Sequence, residues 1–222
     1  MIVGGGIIAR SMSDIKVDVI IFASGVSNSS CTDPVEFLRE KQLLLSQDRS
    51  RKLVYFSTCS LSDGSVKNAY LLHKLEMEKL VSENFEEWLV LRIPTVVGSG
   101  GNTNNFFNYI SKRLRKNELV HAQSSTYRHL LDAEDIKELV STMIEKTSKE
   151  IVDVCLDNSA TALTIINLMK SELGSESEIV TLTDTTNHIV DNTRLKSIIG
   201  DIFDQVNTSD YNKRLIKKYL LI

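Results

Sequence analysis

Lys52-Leu53-Val54-Tyr55-Phe56-Ser57-Thr58-Cys59-Ser60 reads as a strand that ends in small hydroxyl side chains, and Tyr70-Leu71-Leu72-His73-Lys74 follows after a short gap. A near-continuous apolar run marks a strand buried on both faces, as in parallel sheets. Open parallel sheets carry their chemistry at the carboxyl ends of strands, so Ser57 and Thr58 stand at a reactive edge. Tyr70 and Lys74 lie one turn apart on one helix face. A neighbouring ammonium favours the phenolate and lowers a tyrosine pKa. A tyrosine tuned in this way exchanges a proton with a carbonyl or alcohol while a nicotinamide handles the hydride.

The same alternation continues outward. Met1 to Val3, Val17 to Ala23, Trp88 to Arg92, Ile151 to Cys155 and Ile179 to Leu182 read as strands, with a short extended piece at Leu130-Leu131. Pro34 to Leu45, Asn68 to Ser82, Phe106 to Leu114 and Leu163 to Leu173 read as helices. Asp132 caps another that runs to about Glu145, and two more helices follow in the tail. In the Asn68–Ser82 helix the spacing turns Leu72, Leu75 and Leu80 inward. Strand–helix alternation predicts an α/β fold, a parallel sheet with helices on both faces.

Gly4-Gly5-Gly6-Ile7-Ile8-Ala9 fits G-x-G-x-x-A between a strand and a helix. Such glycines allow a tight turn and close backbone approach, and the following helix start offers N–H groups to a pyrophosphate. A full dinucleotide fingerprint has an acidic residue about 20 positions on, at the end of a second strand. Here only a short helix fits between Ala9 and Val17. A βαβ crossover needs about 10–12 residues besides its strands, so the second and third strands, and with them most of an adenosine pocket, are missing.

Composition narrows the class. Of 222 residues, 42% are hydrophobic and 25% charged, as in ordinary globular enzymes. A net charge of −3 gives no reason to expect nucleic acid or an anionic membrane as partner. Lys112-Arg113-Leu114-Arg115-Lys116 reads as a solvated helix face. The three cysteines, Cys31, Cys59 and Cys155, are odd in number and lack CxxC spacing, which speaks against a disulfide framework or a metal site. No secretory leader or membrane-spanning run is evident, so a soluble, cytoplasmic protein is expected.

The ordered motifs resemble the NAD-dependent epimerase/dehydratase family, the extended short-chain dehydrogenases that modify nucleotide-linked sugars. In that family a strand ending Ser-Ser/Thr precedes Tyr-x-x-x-Lys. An L-R-x-x-N-V-Y-G segment follows, here Leu91-Arg92-Ile93-Pro94-Thr95-Val96-Val97-Gly98. Next comes R-D-F/Y-I-x-V-x-D, here Arg128-His129-Leu130-Leu131-Asp132-Ala133-Glu134-Asp135. The resemblance covers Val17 to about Ile144. It implies a Rossmann-like, doubly wound sheet with a reduced N-terminal half, forming one domain over 1–222. A small substrate lobe would come mainly from 98–130 and 151–222.

The resemblance also implies roles. Thr58 would bond the reacting oxygen, Tyr70 would be the acid/base, and Lys74 would lower the Tyr70 pKa and hold the nicotinamide ribose. NAD or NADP would lie along Gly4, Gly6, Ala9, Ala23, Ser24, Gly25, Ser57, Pro94 and Val96, held weakly because the adenosine pocket is shortened. Thr58, Cys59, Asn102, Asn104, Asn105 and Arg128 would face a nucleotide-sugar substrate, an arginine fork suiting a diphosphate. A homodimer through the Tyr70 helix and a place in surface-polysaccharide synthesis follow by the same analogy.

Departures from the pattern shape the reading. The family's 4,6-dehydratases carry Asp-Glu after the catalytic Thr, where this chain has Cys59 and Ser60, so dehydration is disfavoured. Thr95 replaces the usual asparagine and His129 the usual aspartate. Cys59 is either a packing thiol or an acid/base beside a keto group. His73 is expected to face solvent or cap the helix. Two readings stay open: an NAD(P)-dependent reductase or epimerase, and a degenerate relative that binds a nucleotide or a protein without catalysis.

Overall fold

Short apolar runs in the first half pair in the order in which the chain makes them. The structure is a computed structural model that describes residues 1–62, 68–183 and 190–220. The elements are β1 (Ile2–Val3), α1 (Ile7–Ser11), β2 (Ile20–Phe22), α2 (Pro34–Leu45), β3 (Leu53–Thr58), α3 (Ala69–Asn84), β4 (Trp88–Ile93), β5 (Thr95–Val97) and α4 (Phe106–Arg115). They continue with β6 (Val120–Gln123), β7 (Tyr127–Arg128), β8 (Leu130–Asp132), α5 (Ala133–Lys146), β9 (Glu150–Asp153) and β10 (Ala160–Thr161). The last are α6 (Ala162–Leu173), β11 (Ile179–Leu182), α7 (Thr193–Ile199), α8 (Asp201–Val206) and α9 (Tyr211–Leu220).

The main sheet has the order β1-β2-β3-β4-β9, and every pairing in it is parallel. Alternation along the strands sends side chains to two cores. Ile21, Val54, Phe56, Leu89 and Leu91 meet Met12, at the end of α1, and residues of α5 on one face. Ile20, Phe22, Leu53, Tyr55 and Val90 meet Leu44 of α2 and Met77 and Val81 of α3 on the other. The expected parallel α/β sheet with helices on both faces is therefore present. The expected shortening is present too: β1 is the edge strand, and the chain passes from it through α1 directly to β2.

Beyond β4 the chain builds small paired strands: β5 with β8, β6 with β11 and β7 with β10. With α4 and α6 these stand over the carboxyl ends of the main strands. β9 belongs to the main sheet, so the C-terminal part of the proposed substrate lobe starts after it; positions 184–189 and 221–222 of that lobe lie outside the described residues. Asp132 caps α5 as expected, accepting the Glu134 N–H, and also receives the Tyr219 hydroxyl and the Lys218 ammonium of α9. Lys112, Arg115 and Lys116 are exposed, in keeping with a solvated basic face.

The inward face of α3 differs from expectation. Leu72 is 60% exposed and Leu75 44%, whereas Tyr70, Leu71, His73, Lys74, Met77, Glu78 and Val81 are buried. Polar partners decide this. Glu78 accepts the Ser57 hydroxyl (2.5 Å) and both the Nε and Nη2 of Arg92 (2.9 and 2.7 Å), which ties α3 to the ends of β3 and β4.

Two stability outcomes follow. Arg92→Met strands the buried Glu78 carboxylate and should cost about 3–5 kcal/mol in denaturant unfolding. Gly4 has φ +132, and a Cβ there would sit 2.4 Å from the Ala23 carbonyl oxygen. Gly4→Ala should therefore lower the melting temperature, with a cost of about 1–3 kcal/mol.

Candidate active site

A cleft of about 1020 Å³ runs over the carboxyl ends of β1 to β4 and under the small paired strands. The loop after β1 opens it: Gly5 and Gly6 line the cleft, and nothing lies within 4 Å of where a side chain on either would begin. Gly4 and Ala9, placed by sequence among the cofactor contacts, do not line it. Gly4 is pressed against the end of β2 and Ala9 is buried on the inward face of α1. Ala23, Ser24, Gly25, Ser57, Thr58, Cys59, Tyr70, Lys74, Pro94, Val96, Asn102, Asn104, Asn105 and Arg128 all line one continuous cleft.

Several of these side chains are already engaged. The Ser57 hydroxyl is turned to Glu78. Asn105 caps α4 by accepting the Asn108 N–H, and the Asn102 side-chain carbonyl oxygen accepts the Asn104 N–H. Cys59 meets the buried Cys155 thiol; a hydrogen bond with Cys59 first, then burial, pushes the Cys155 pKa up. Both cysteines are free.

At the middle of the cleft, Thr58 caps a short 3-10 turn through the Ser60 N–H and hydrogen-bonds Tyr70. The expected Lys74–Tyr70 effect is not what the geometry produces. The Lys74 ammonium is 3% exposed and bonds the Tyr55 hydroxyl (2.9 Å) and Glu40 Oε1 (3.2 Å). Burial pushes the Tyr70 phenol well above its ordinary value. The negative charge of Glu40 adds to that, and the Thr58 hydrogen bond opposes it. The lysine charge is bound to an acid before it can act on the phenol.

Glu40 is the site residue that sequence reasoning missed. It is 0% exposed on α2 and accepts the Val26 N–H (2.6 Å) and the Tyr55 hydroxyl (2.7 Å) besides Lys74. Burial alone would raise its pKa. His73, Lys74, Val26 and Tyr55 outweigh burial and hold it at about 2. His73, expected at the surface, is buried: Nε2 lies 2.9 Å from Glu40 and the ring stacks on Phe37 at 4.3 Å. A signal was available, because Glu40 lies one turn before the buried Leu44 on the same helix face.

The far end of the cleft is cationic. Arg128 lies over the Phe106 ring at 4.4 Å, and its Nε is buried without a hydrogen-bond partner. Burial lowers its pKa, Cys59 opposes that, and among the described residues no carboxylate pairs with it. His129 donates from Nδ1 to the Leu156 carbonyl (3.0 Å), and burial lowers its pKa, so the ring is neutral. Near the glycine turn, Arg10 donates to the Gly5 and Ser99 carbonyls (2.8 and 3.3 Å), and Arg39 donates to the Ser24 carbonyl (3.2 Å). Among the described residues no helix is long and apolar enough to cross a membrane.

No family model and no curated protein sequence matches the chain. Solved structures do match it. The UDP-glucose 4-epimerase of Thermus thermophilus, in complex with NAD, aligns with a TM-score of 0.71 at 16% identity, over 96% of this chain and 81% of that one. The dTDP-glucose 4,6-dehydratase DesIV of Streptomyces venezuelae, with NAD and TYD bound, aligns at 0.72 and 14%, over 97% and 78%. RMD of Pseudomonas aeruginosa, complexed with NADPH, aligns at 0.69 and 18%, over 93% and 82%. The chain therefore has the fold shared by these three structures, in a short form.

Proposed function

We propose that this chain is a shortened member of the extended short-chain dehydrogenases, an NAD(P)-dependent reductase or epimerase of a nucleotide-linked sugar. One observation carries the reading: a single cleft joins an open glycine turn, the Thr58–Tyr70–Lys74 group and a cationic end at Arg128 without an acidic partner. A buried guanidinium with an unused donor calls for an anion, and a nucleoside diphosphate supplies one. The open positions at Gly5 and Gly6 fit a pyrophosphate approaching the backbone, while Ala23, Ser24, Gly25, Pro94 and Val96 line the path toward Tyr70. A nicotinamide dinucleotide held there supplies the hydride. Tyr70 exchanges the proton at the sugar oxygen, and Thr58 holds that oxygen in place. The missing strands remove the usual grip on adenosine, so the cofactor is held mainly through its pyrophosphate and nicotinamide halves.

Cys59 and Ser60 stand where a 4,6-dehydratase needs carboxyl groups. Their thiol and hydroxyl do not replace an acid on a leaving hydroxyl, which supports reduction or epimerisation over dehydration. Val35 and Leu38 on α2 and Leu72 and Leu75 on α3 are exposed on neighbouring helices, which supports a homodimer through these two helices. A second reading, a relative that binds a nucleotide or a protein without catalysis, has one observation in its favour: the ion pair already formed by Lys74.

Calorimetric titration with NADH and NADPH should give binding with at least one; heat from neither sinks the nicotinamide reading. Tyr70→Phe should abolish turnover and leave cofactor affinity within about twofold, and full activity in that variant would remove the assigned role. Arg128→Met should weaken UDP binding about 10–100-fold, the worth of a hydrogen bond to a charged group, with NADPH affinity unchanged. In sedimentation, Leu72→Glu should convert a dimer to monomer.

A further inference from the structure

Glu40 belongs to none of the motifs that mark this site, yet it binds four groups around it. It reaches from α2 to three other segments: Val26 in the loop that lines the cleft, Tyr55 on β3, and His73 and Lys74 on α3. The fit leaves no spare room. A Cβ on Gly25 would lie 2.7 Å from the Lys74 Nζ and 2.9 Å from the Glu40 Oε1. A fully buried carboxylate costs several kcal/mol unless it is paired and hydrogen-bonded, and here two of its partners, Val26 and Lys74, line the cleft while Tyr55 and His73 lie behind it.

We infer that Glu40 is a positioning residue that holds the Lys74 ammonium in a neutral buried pair and thereby keeps Tyr70 protonated, so that the site delivers a proton to a carbonyl oxygen instead of withdrawing one from an alcohol. The inference rests on the oxidoreductase reading above and deepens it toward a reductase. Among the described residues, the groups that face Tyr70 are Lys74 on its own helix, Tyr55 and Thr58 on β3, Cys59 at the following turn and Glu40 on α2, while His73 bonds Glu40. The ammonium in that set is Lys74, whose pKa burial lowers and Glu40 raises; its Nζ is 6.0 Å from the Tyr70 ring centre and 3.2 Å from the acid. The acid thus cancels the charge that would stabilise a phenolate, while Val26, Leu61 and Leu71 pack with the ring and leave Tyr70 8% exposed, on the cleft. In the reducing direction the balance is simple: the carbonyl carbon takes the hydride from the reduced nicotinamide, the carbonyl oxygen takes the Tyr70 proton, and solvent returns a proton to Tyr70.

The test is an ultraviolet titration of tyrosinate in the unliganded protein, with Tyr70→Phe variants used to isolate the Tyr70 component. Glu40→Gln removes the negative charge that raises both the Tyr70 and the Lys74 pKa, and the Tyr70 component should move toward neutral pH by about one unit or more. No movement overturns the inference. Glu40→Asp, which keeps the charge, should keep the native titration. If Glu40→Gln does not fold, the double variant Glu40→Gln, Lys74→Met removes both charges, a change that buried pairs tolerate. It should titrate as the native protein does. A Tyr70 component at clearly higher pH in the double variant would mean that Lys74 acts on the phenol in the native protein, and would also overturn the inference. The titration needs neither cofactor nor substrate. Absent binding of both NADH and NADPH would remove the proposed function and leave the titration standing, and an unmoved titration would do the reverse.

Discussion

One buried carboxylate ties the two helices of one layer to a strand and a loop that line the cleft. Glu40 on α2 meets Lys74 and His73 on α3, Tyr55 on β3 and the backbone of Val26. The desolvation cost of an isolated charge there is large, and only the complete set of partners offsets it. The set forms only when α2, α3 and β3 are in one arrangement. The same requirement explains which face of α3 is buried. Glu78, three residues beyond Leu75, is bound by Ser57 and Arg92, and with Glu40 it turns the polar side of α3 inward and leaves Leu72 and Leu75 outside.

The sheet runs in one direction from β1 to β9, yet its helices lie on two faces. The α1 and α5 crossings occupy one face and the α2 and α3 crossings the other. Parallel crossings in one direction on opposite faces have opposite hands, while βαβ units overwhelmingly share one hand. The shortened half makes sense of this. A helix placed where α1 lies suits a strand on the far side of β1, the side where a doubly wound sheet continues and where this sheet stops. The glycine turn still opens on the cleft because α1 keeps its face. The order reversal at which such sheets hold a dinucleotide is lost, so the cleft is closed instead by the lobe of short paired strands.

Much of the architecture was legible in the residues. Long apolar runs and helix-period stretches located the main strands and helices to within a few residues, and the Ala9–Val17 gap announced the missing strands. The short strands β5, β6, β7 and β10 were not legible, since two to four residues carry no periodic signal and their pairing is decided by partners distant in the chain. The α3 face was misread because apolar residues stand on both sides of that helix, so spacing alone could not choose between Leu72 with Leu75 and Met77 with Val81.

The sequence by itself determined that Thr58, Tyr70 and Lys74 share a strand end and a helix face, because strand and helix periods place them there whatever surrounds them. Only the tertiary structure decided the electrostatics among them. The acid that binds Lys74 lies 34 residues earlier in the chain, on a helix that carries none of the motifs. Charge interactions depend on distance and on exclusion of water, and neither is defined until α2 packs against α3.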